Sequence, residues 1–183
     1  MAWSAETKAE YGSVPNYILK KRLRWTPLPS STPELGPIFD VRSQTPFQDR
    51  HDYKTLPNDW PYGFESGIVH LVVWLKTRLD TEPSKGDMTA KSRKQVEDFV
   101  HRTFINRVED LPGAKEKVMW FKNWTALQTV PSMDHVHILV RDVPADIIAE
   151  WTNGEDIVQG EETFDALELS LSRTEPLGQR QPA

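Results

Sequence analysis

The chain has no cysteine. Disulfide staples, cysteine-ligated zinc and thiol catalysis are therefore excluded. It also lacks a surplus of positive charge. The formal net charge is −5 and the pI about 5.6. That argues against a nucleic-acid polymer as partner, because phosphate contacts need clustered Lys and Arg. One local basic cluster exists, Lys20, Lys21, Arg22 and Arg24, and such a run is most simply a solvated face. Long apolar runs are missing as well. The longest, Ile68–Leu75, is interrupted by His70 and is too short to span a bilayer. The first residues, MAWSAETKAEYG, contain no apolar core of a signal peptide. No internal repeat is visible. The expectation is a cytoplasmic protein without a membrane segment.

What is present suits one globular domain. The chain has 183 residues, 38% hydrophobic and 27% charged, enough for a substantial core. Residues 1–37 read as an irregular N-terminal segment. A short amphipathic helix falls near Tyr17–Trp25, and Pro27, Pro29, Pro33 and Pro37 follow it. Residues 38–154 read as the core, of which 38–57 show little periodicity. Residues 155–183 read as an acidic, partly disordered tail.

Within the core, Gly67–Lys76 is rich in β-branched residues and apolar on both faces, which predicts a central strand. Val96, Phe99, Val100 and Thr103 form one stripe of a helix over 90–104, capped by Asp87 or Thr89. Val118–Phe121 and residues 135–140 predict two further strands, joined closely enough to be antiparallel. Pro144 opens a last short helix that Asn153-Gly154 ends. The pattern is α+β, a single antiparallel-rich sheet with helices packed on one face.

The stretch 118–142, VMWFKNWTALQTVPSMDHVHILVRD, holds the chemistry. Alternation over 135–140 turns Val136, Ile138 and Val140 to the core, and His135, His137 and Leu139 to the other face. Two imidazoles on one face, about 6.5–7 Å apart at the backbone, permit three roles. They can shuttle a proton. One can act as a nucleophile while the other fixes its tautomer. Both can ligate a metal, with a third ligand from His70, Asp134 or His51. The plain alternative is two histidines on an exposed strand. The turn before them offers Lys122, Asn123, Trp124, Gln128 and Thr129, and the stretch 57–63 adds Trp60 and Tyr62. A pocket needs a few directed polar groups against apolar walls, so these residues with His70 are the candidate ligand contacts. Trp124 serves a core equally well, and Trp60, Tyr62 and Trp74 are more often core than ligand platforms.

Two stretches resemble a known pattern. Asn58-Asp-Trp-Pro-Tyr-Gly and His70-Leu-Val-Val-Trp-Leu-Lys76 are similar to a paired motif of the histidine-triad superfamily of nucleotide hydrolases and transferases. Asn123, Gln128-Thr129-Val130 and His135-Val-His137-Ile-Leu139-Val140 resemble its histidine segment. More specifically, GIVHLVVW, GDMTAKSR, FKNWTALQ and HVHILVRD look like a fungal family of unknown function whose members carry the name N-acetylglucosamine-induced protein, over residues 38–152. The superfamily likeness implies a histidine-triad-like fold, a homodimer, and attack on phosphorus by the middle histidine, which falls on His137. The third position is Leu139 rather than His, which removes a proton donor, and three extra residues including Pro131 precede the pair.

The reading that results is a small-molecule enzyme of fungal metabolism, with His137 helped by His135 as acid/base or nucleophile. A tailoring step such as cyclisation, isomerisation or dehydration in a biosynthetic pathway fits it. The alternatives are a histidine-triad-like nucleotide hydrolase or transferase acting through His137, and a non-catalytic metabolite- or sugar-binding protein. No cofactor is expected, a metal on His135 and His137 being the one exception weighed.

Overall fold

The computed structural model describes residues 2–32, 36–60, 62–128 and 130–155. In chain order the elements are α1 (Ala2–Tyr11), α2 (Val14–Tyr17), β1 (Tyr53–Pro57), β2 (Ile68–Leu75), α3 (Ala90–Val100), β3 (Val118–Phe121), β4 (His135–Arg141) and α4 (Ala145–Thr152). The four strands make one open antiparallel sheet in the order β1-β2-β4-β3. The class is α+β. The expected acidic tail lies outside the described residues, apart from Glu155.

The period-two alternation of β2 and β4 divides the molecule. Leu71, Val73 and Leu75 share one face with Val136, Ile138 and Val140, and all six are buried. Against them pack Val96, Phe99 and Val100 of α3 and Ile147, Ile148 and Trp151 of α4. Thr89 caps α3, its hydroxyl accepting from the Ser92 amide at 3.2 Å. Beyond Val100 the helix widens into a π-type turn, His101–Ile105, and then tightens over Asn106–Val108. Asn153 takes the left-handed conformation (φ 54°) that closes α4.

The expectation of helices on one face holds for α3 and α4 only. The opposite face carries a second apolar cluster. Leu56, Val72 and Trp74 of the sheet meet Ile18, Leu23, Phe39, Val130 and Met133. The cover comes from the N-terminal segment. Ser13 caps α2 by accepting from the Asn16 amide at 3.2 Å, and Pro15 sits in the first turn. The helix runs on through a wide turn, Ile18–Leu23, and Arg24 ends it with φ 57°. Polar as 1–24 is, Ile18 and Leu23 supply enough apolar area to seat it.

One strand was not visible in the sequence. β1 lies in the stretch 38–57, which shows little periodicity, and it pairs with β2 from Tyr53↔Leu75 to Pro57↔Leu71. It is an edge strand, where a terminal proline is tolerated because one side needs no ladder donor.

Candidate functional site

The second face of β2 and β4 presents His70, Val72 and Trp74 beside His135, His137 and Leu139. The register sets Val72 opposite His137 and Trp74 opposite His135. His70 is thus a diagonal neighbour of His137, within reach across the strands. Its Nε2 lies 2.9 Å from His137 Nδ1, a hydrogen bond between two buried rings. Phe121 of β3 stacks on His137 at 4.6 Å and 12°. Tyr62 and Phe64 each stand 5.5 Å from the His70 ring. Trp74 lies 4.5 Å from His135.

Burial governs the charge of these rings. It pushes His70 down to about 4, and it pushes His137 down to about 3 with help from neighbouring His135, His70 and Lys122. His135 is lowered too, by burial first. All three are therefore neutral at physiological pH. His135 Nδ1 donates to the Met133 carbonyl at 2.9 Å, which leaves its Nε2 as a lone pair. The His70–His137 bond holds one proton between the rings. Of its two outer nitrogens, His137 Nε2 and His70 Nδ1, one must then carry a hydrogen and the other a lone pair. Both are buried and have no hydrogen-bond partner among the described residues.

Beside this array lies a cavity of about 260 Å³. Val72, Trp74, His135 and His137 form its floor, Val14 and Ile18 its cover, and Asn58, Asp59, Trp60, Tyr62, Asn123 and Val130 its sides. No lysine or arginine is among these lining residues. Asp59 supplies the carboxylate. Its Oδ2 is 2.9 Å from Arg22 Nε and accepts from the Tyr17 hydroxyl at 3.2 Å. Burial raises the Asp59 pKa while Arg22 pulls it back. Burial and the nearby Asp59 push the Tyr17 phenol to about 12. The Asp59 Oδ1 is buried without a hydrogen-bond partner among the described residues. This cluster fastens the 58–60 turn to the N-terminal helix, so cover and wall are one unit.

The predicted residues part company here. His135, His137, Asn123, Trp60 and Tyr62 line the cavity, and His70 joins through His137. Lys122 does not line it. Its amine pairs with Asp134 at 3.0 Å, with the lysine side chain 3% exposed. Asp134 also accepts from the Leu79 amide at 3.1 Å. The pair ties the end of β3 to the start of β4. Gln128 donates to the Asn123 carbonyl at 2.9 Å, holding the turn, and Trp124 is exposed and off the lining. Thr129 lies outside the described residues. Sequence reading missed Asp59, Asn58 and the N-terminal cover. The signal for Asp59 was a carboxylate inside an aromatic turn. As for metals, His51 is exposed and bound to Asp49 at 2.9 Å. Among the described residues no three His, Asp or Glu side chains converge as a metal site.

Comparison with known proteins fixes the kinship. Residues 1–141 match the family described as "Protein of unknown function (DUF3605)". The chain belongs to that family. DUF3605 relatives include the N-acetylglucosamine-induced protein 1 of Candida albicans, 28% identical over 151 residues, covering 78% of this chain and 58% of the relative. An uncharacterized protein of Saccharomyces cerevisiae is 33% identical over 88 residues, covering 48% of this chain and 43% of the relative. The chain thus spans about half the length of these fungal relatives. Among solved structures, that of HTC1 is similar, with a TM-score of 0.54 and 25% identity, covering 83% of this chain and 78% of that one. Among the described residues no helix is long and apolar enough to cross a membrane.

Proposed function

We propose that this DUF3605 protein is an acid/base enzyme acting on a small, uncharged molecule. The observation that carries the reading is the His70–His137 hydrogen bond, with an open nitrogen at each end and a cavity beside it. A buried nitrogen left without a partner costs about 1–3 kcal/mol. His137 lines the hollow, and a ligand that enters supplies its Nε2 with a partner.

The depressed pKa values shape the chemistry. An imidazolium is costly in this setting, so neither ring is suited to hold a proton alone. The pair divides that cost. His137 Nε2 accepts a proton from one substrate atom as His137 Nδ1 hands its own to His70 Nε2, so the added charge moves inward to His70. The relay then reverses, and His137 Nε2 returns the proton to another substrate atom, which restores the neutral dyad. His135 Nε2, a fixed acceptor, orients a substrate hydroxyl or amide, and Asp59 Oδ1 offers a second polar anchor. Trp60, Tyr62 and Trp74 supply a flat apolar wall for a ring. The reaction class that fits is a proton shift, including the isomerisation, cyclisation or dehydration steps of a biosynthetic pathway. A cytoplasmic setting accords with this reading.

A nucleotide hydrolase through His137 is supported less well. The cavity lining has no cation for phosphates and does have a carboxylate, and Lys122 is spent on Asp134. The antiparallel sheet and the place of His137 on β4 favour a histidine-triad-like scaffold, with Leu139 in the third position. The homodimer that likeness implies finds support in edge strand β3, where Met119 is 63% exposed, and light scattering of the purified chain tests it.

The test incubates fungal metabolite extract in heavy water with wild type or His137→Gln and reads masses. Wild type is expected to deuterate or convert at least one metabolite, and the variant to lose this while keeping its fold by circular dichroism. Equal conversion by both proteins refutes the proposal. The Candida relative's name makes N-acetylglucosamine and its derivatives the first individual probes.

A further inference from the structure

Across the sheet from the histidines, a groove of about 560 Å³ runs between β1, the turn before it, the end of the α3 segment and α4. We propose that this groove binds the phosphoryl group of a small organic phosphate. Three arginines from two distant parts of the chain converge on it: Arg50, Arg102 and Arg107. Each is anchored by one hydrogen bond or ion pair, and two also lie over a ring. Arg50 Nη1 donates to the Tyr53 carbonyl at 3.1 Å, and its guanidinium lies 4.9 Å over the Tyr53 ring. Arg102 Nη2 donates to the Phe47 carbonyl at 2.6 Å, and its head lies 5.2 Å over Phe99. Arg107 Nε pairs with Glu150 at 2.8 Å.

A guanidinium has five N–H donors in a rigid fork. One anchoring bond therefore preorganises each head and leaves other donors for a ligand. The backbone contributes a second, independent feature. The π-type turn His101–Ile105 interrupts the helix where Arg102 and Thr103 enter the groove. Such wide turns recur at functional sites. Three guanidiniums against the single Glu150 carboxylate leave a local surplus of two positive charges, on a chain whose net charge is −5.

The ligand class follows from that geometry. A carboxylate satisfies one fork. A phosphoryl group has three oxygens and a second charge, and so suits several forks at once. The groove is far larger than inorganic phosphate, and the rings of Tyr53 and Trp151 give an organic portion a place to lie. A nucleic-acid polymer suits it poorly, because a chain of net charge −5 disfavours a polyanion.

The experiment titrates full-length, ¹⁵N-labelled protein with sodium pyrophosphate at constant ionic strength, with chloride as control. Saturable shifts centred on the amides of Tyr53, Arg102 and Asn106 are expected, with a Kd of about 1 mM or below. Arg50→Gln and Arg107→Gln are each expected to weaken binding about tenfold, the loss of one charge-assisted bond. Glu150→Gln is expected to tighten it several-fold, a sign no loss of folding reproduces. Shifts no larger than those with chloride overturn the proposal, as do Arg50→Gln and Arg107→Gln variants that bind like wild type. Binding of a short RNA duplex without binding of pyrophosphate overturns the small-molecule assignment.

Discussion

Acidification is expected to destabilise this protein sharply through two histidines. His70 and His137 are each 9% exposed, so solvent screens them little. Their pKa values in the fold, about 4 and about 3, lie below the ordinary 6.5. The unfolded chain therefore binds protons below pH 6.5 that the fold refuses. Stability is fully present above that pH and falls until the folded values are reached. Between pH 7 and pH 5 each histidine removes about 2 kcal/mol, and the pair on the order of 4 kcal/mol. Set against a typical total of about 5–15 kcal/mol, that is a large fraction. His135, also lowered, adds in the same direction. Asp59 opposes it, because a carboxyl raised in the fold takes up its proton earlier than in the unfolded chain. With a urea slope of about 2 kcal/mol per molar, the wild-type midpoint should drop by about 2 M between the two pH values. The double variant His70→Gln/His137→Gln should lose most of that drop. A variant whose midpoint falls as far as that of wild type refutes the burial argument.

Other perturbations follow from the same contacts. Asp134→Ala strands the Lys122 ammonium and should cost about 3 kcal/mol or more, whereas adding Lys122→Met should restore much of it; chemical denaturation of the three proteins checks this. Trp60→Ala and Tyr62→Ala remove half-exposed cavity walls and should change stability by about 0.5 kcal/mol or less. Gly67 has φ +85°, and a Cβ there meets the Asp142 carboxylate, so Gly67→Ala should cost about 1–3 kcal/mol, seen as a lower melting temperature.

Legibility in the sequence followed the strength of local periodicity. β2 and β4 are dense in β-branched residues, so their faces, and the shared direction of His135 and His137, were readable from alternation alone. β1 was hidden because Lys54, Thr55 and Pro57 break its apolar pattern, and its edge position tolerates that. The N-terminal cover was hidden for a related reason. Val14, Ile18 and Leu23 are sparse in a polar segment, and only the cavity face of the sheet gives them a partner. Lys122 looks like a ligand contact in the sequence because a lone cation in a turn near two histidines invites it. Its partner Asp134 lies twelve residues on, and a strand and a loop must fold before they meet. The His70–His137 bond crosses 67 residues of chain. It depends on the register between two strands, a property of the pairing and not of either strand alone.

The neutral dyad is the feature on which the proposed chemistry depends, and ¹⁵N NMR of the histidine side chains observes it directly. Recorded from pH 7 to pH 5, the expected spectra show His70 and His137 as neutral rings throughout, with one proton shared between His70 Nε2 and His137 Nδ1. A ring that becomes an imidazolium near pH 6.5, or two rings with no shared proton, contradicts it.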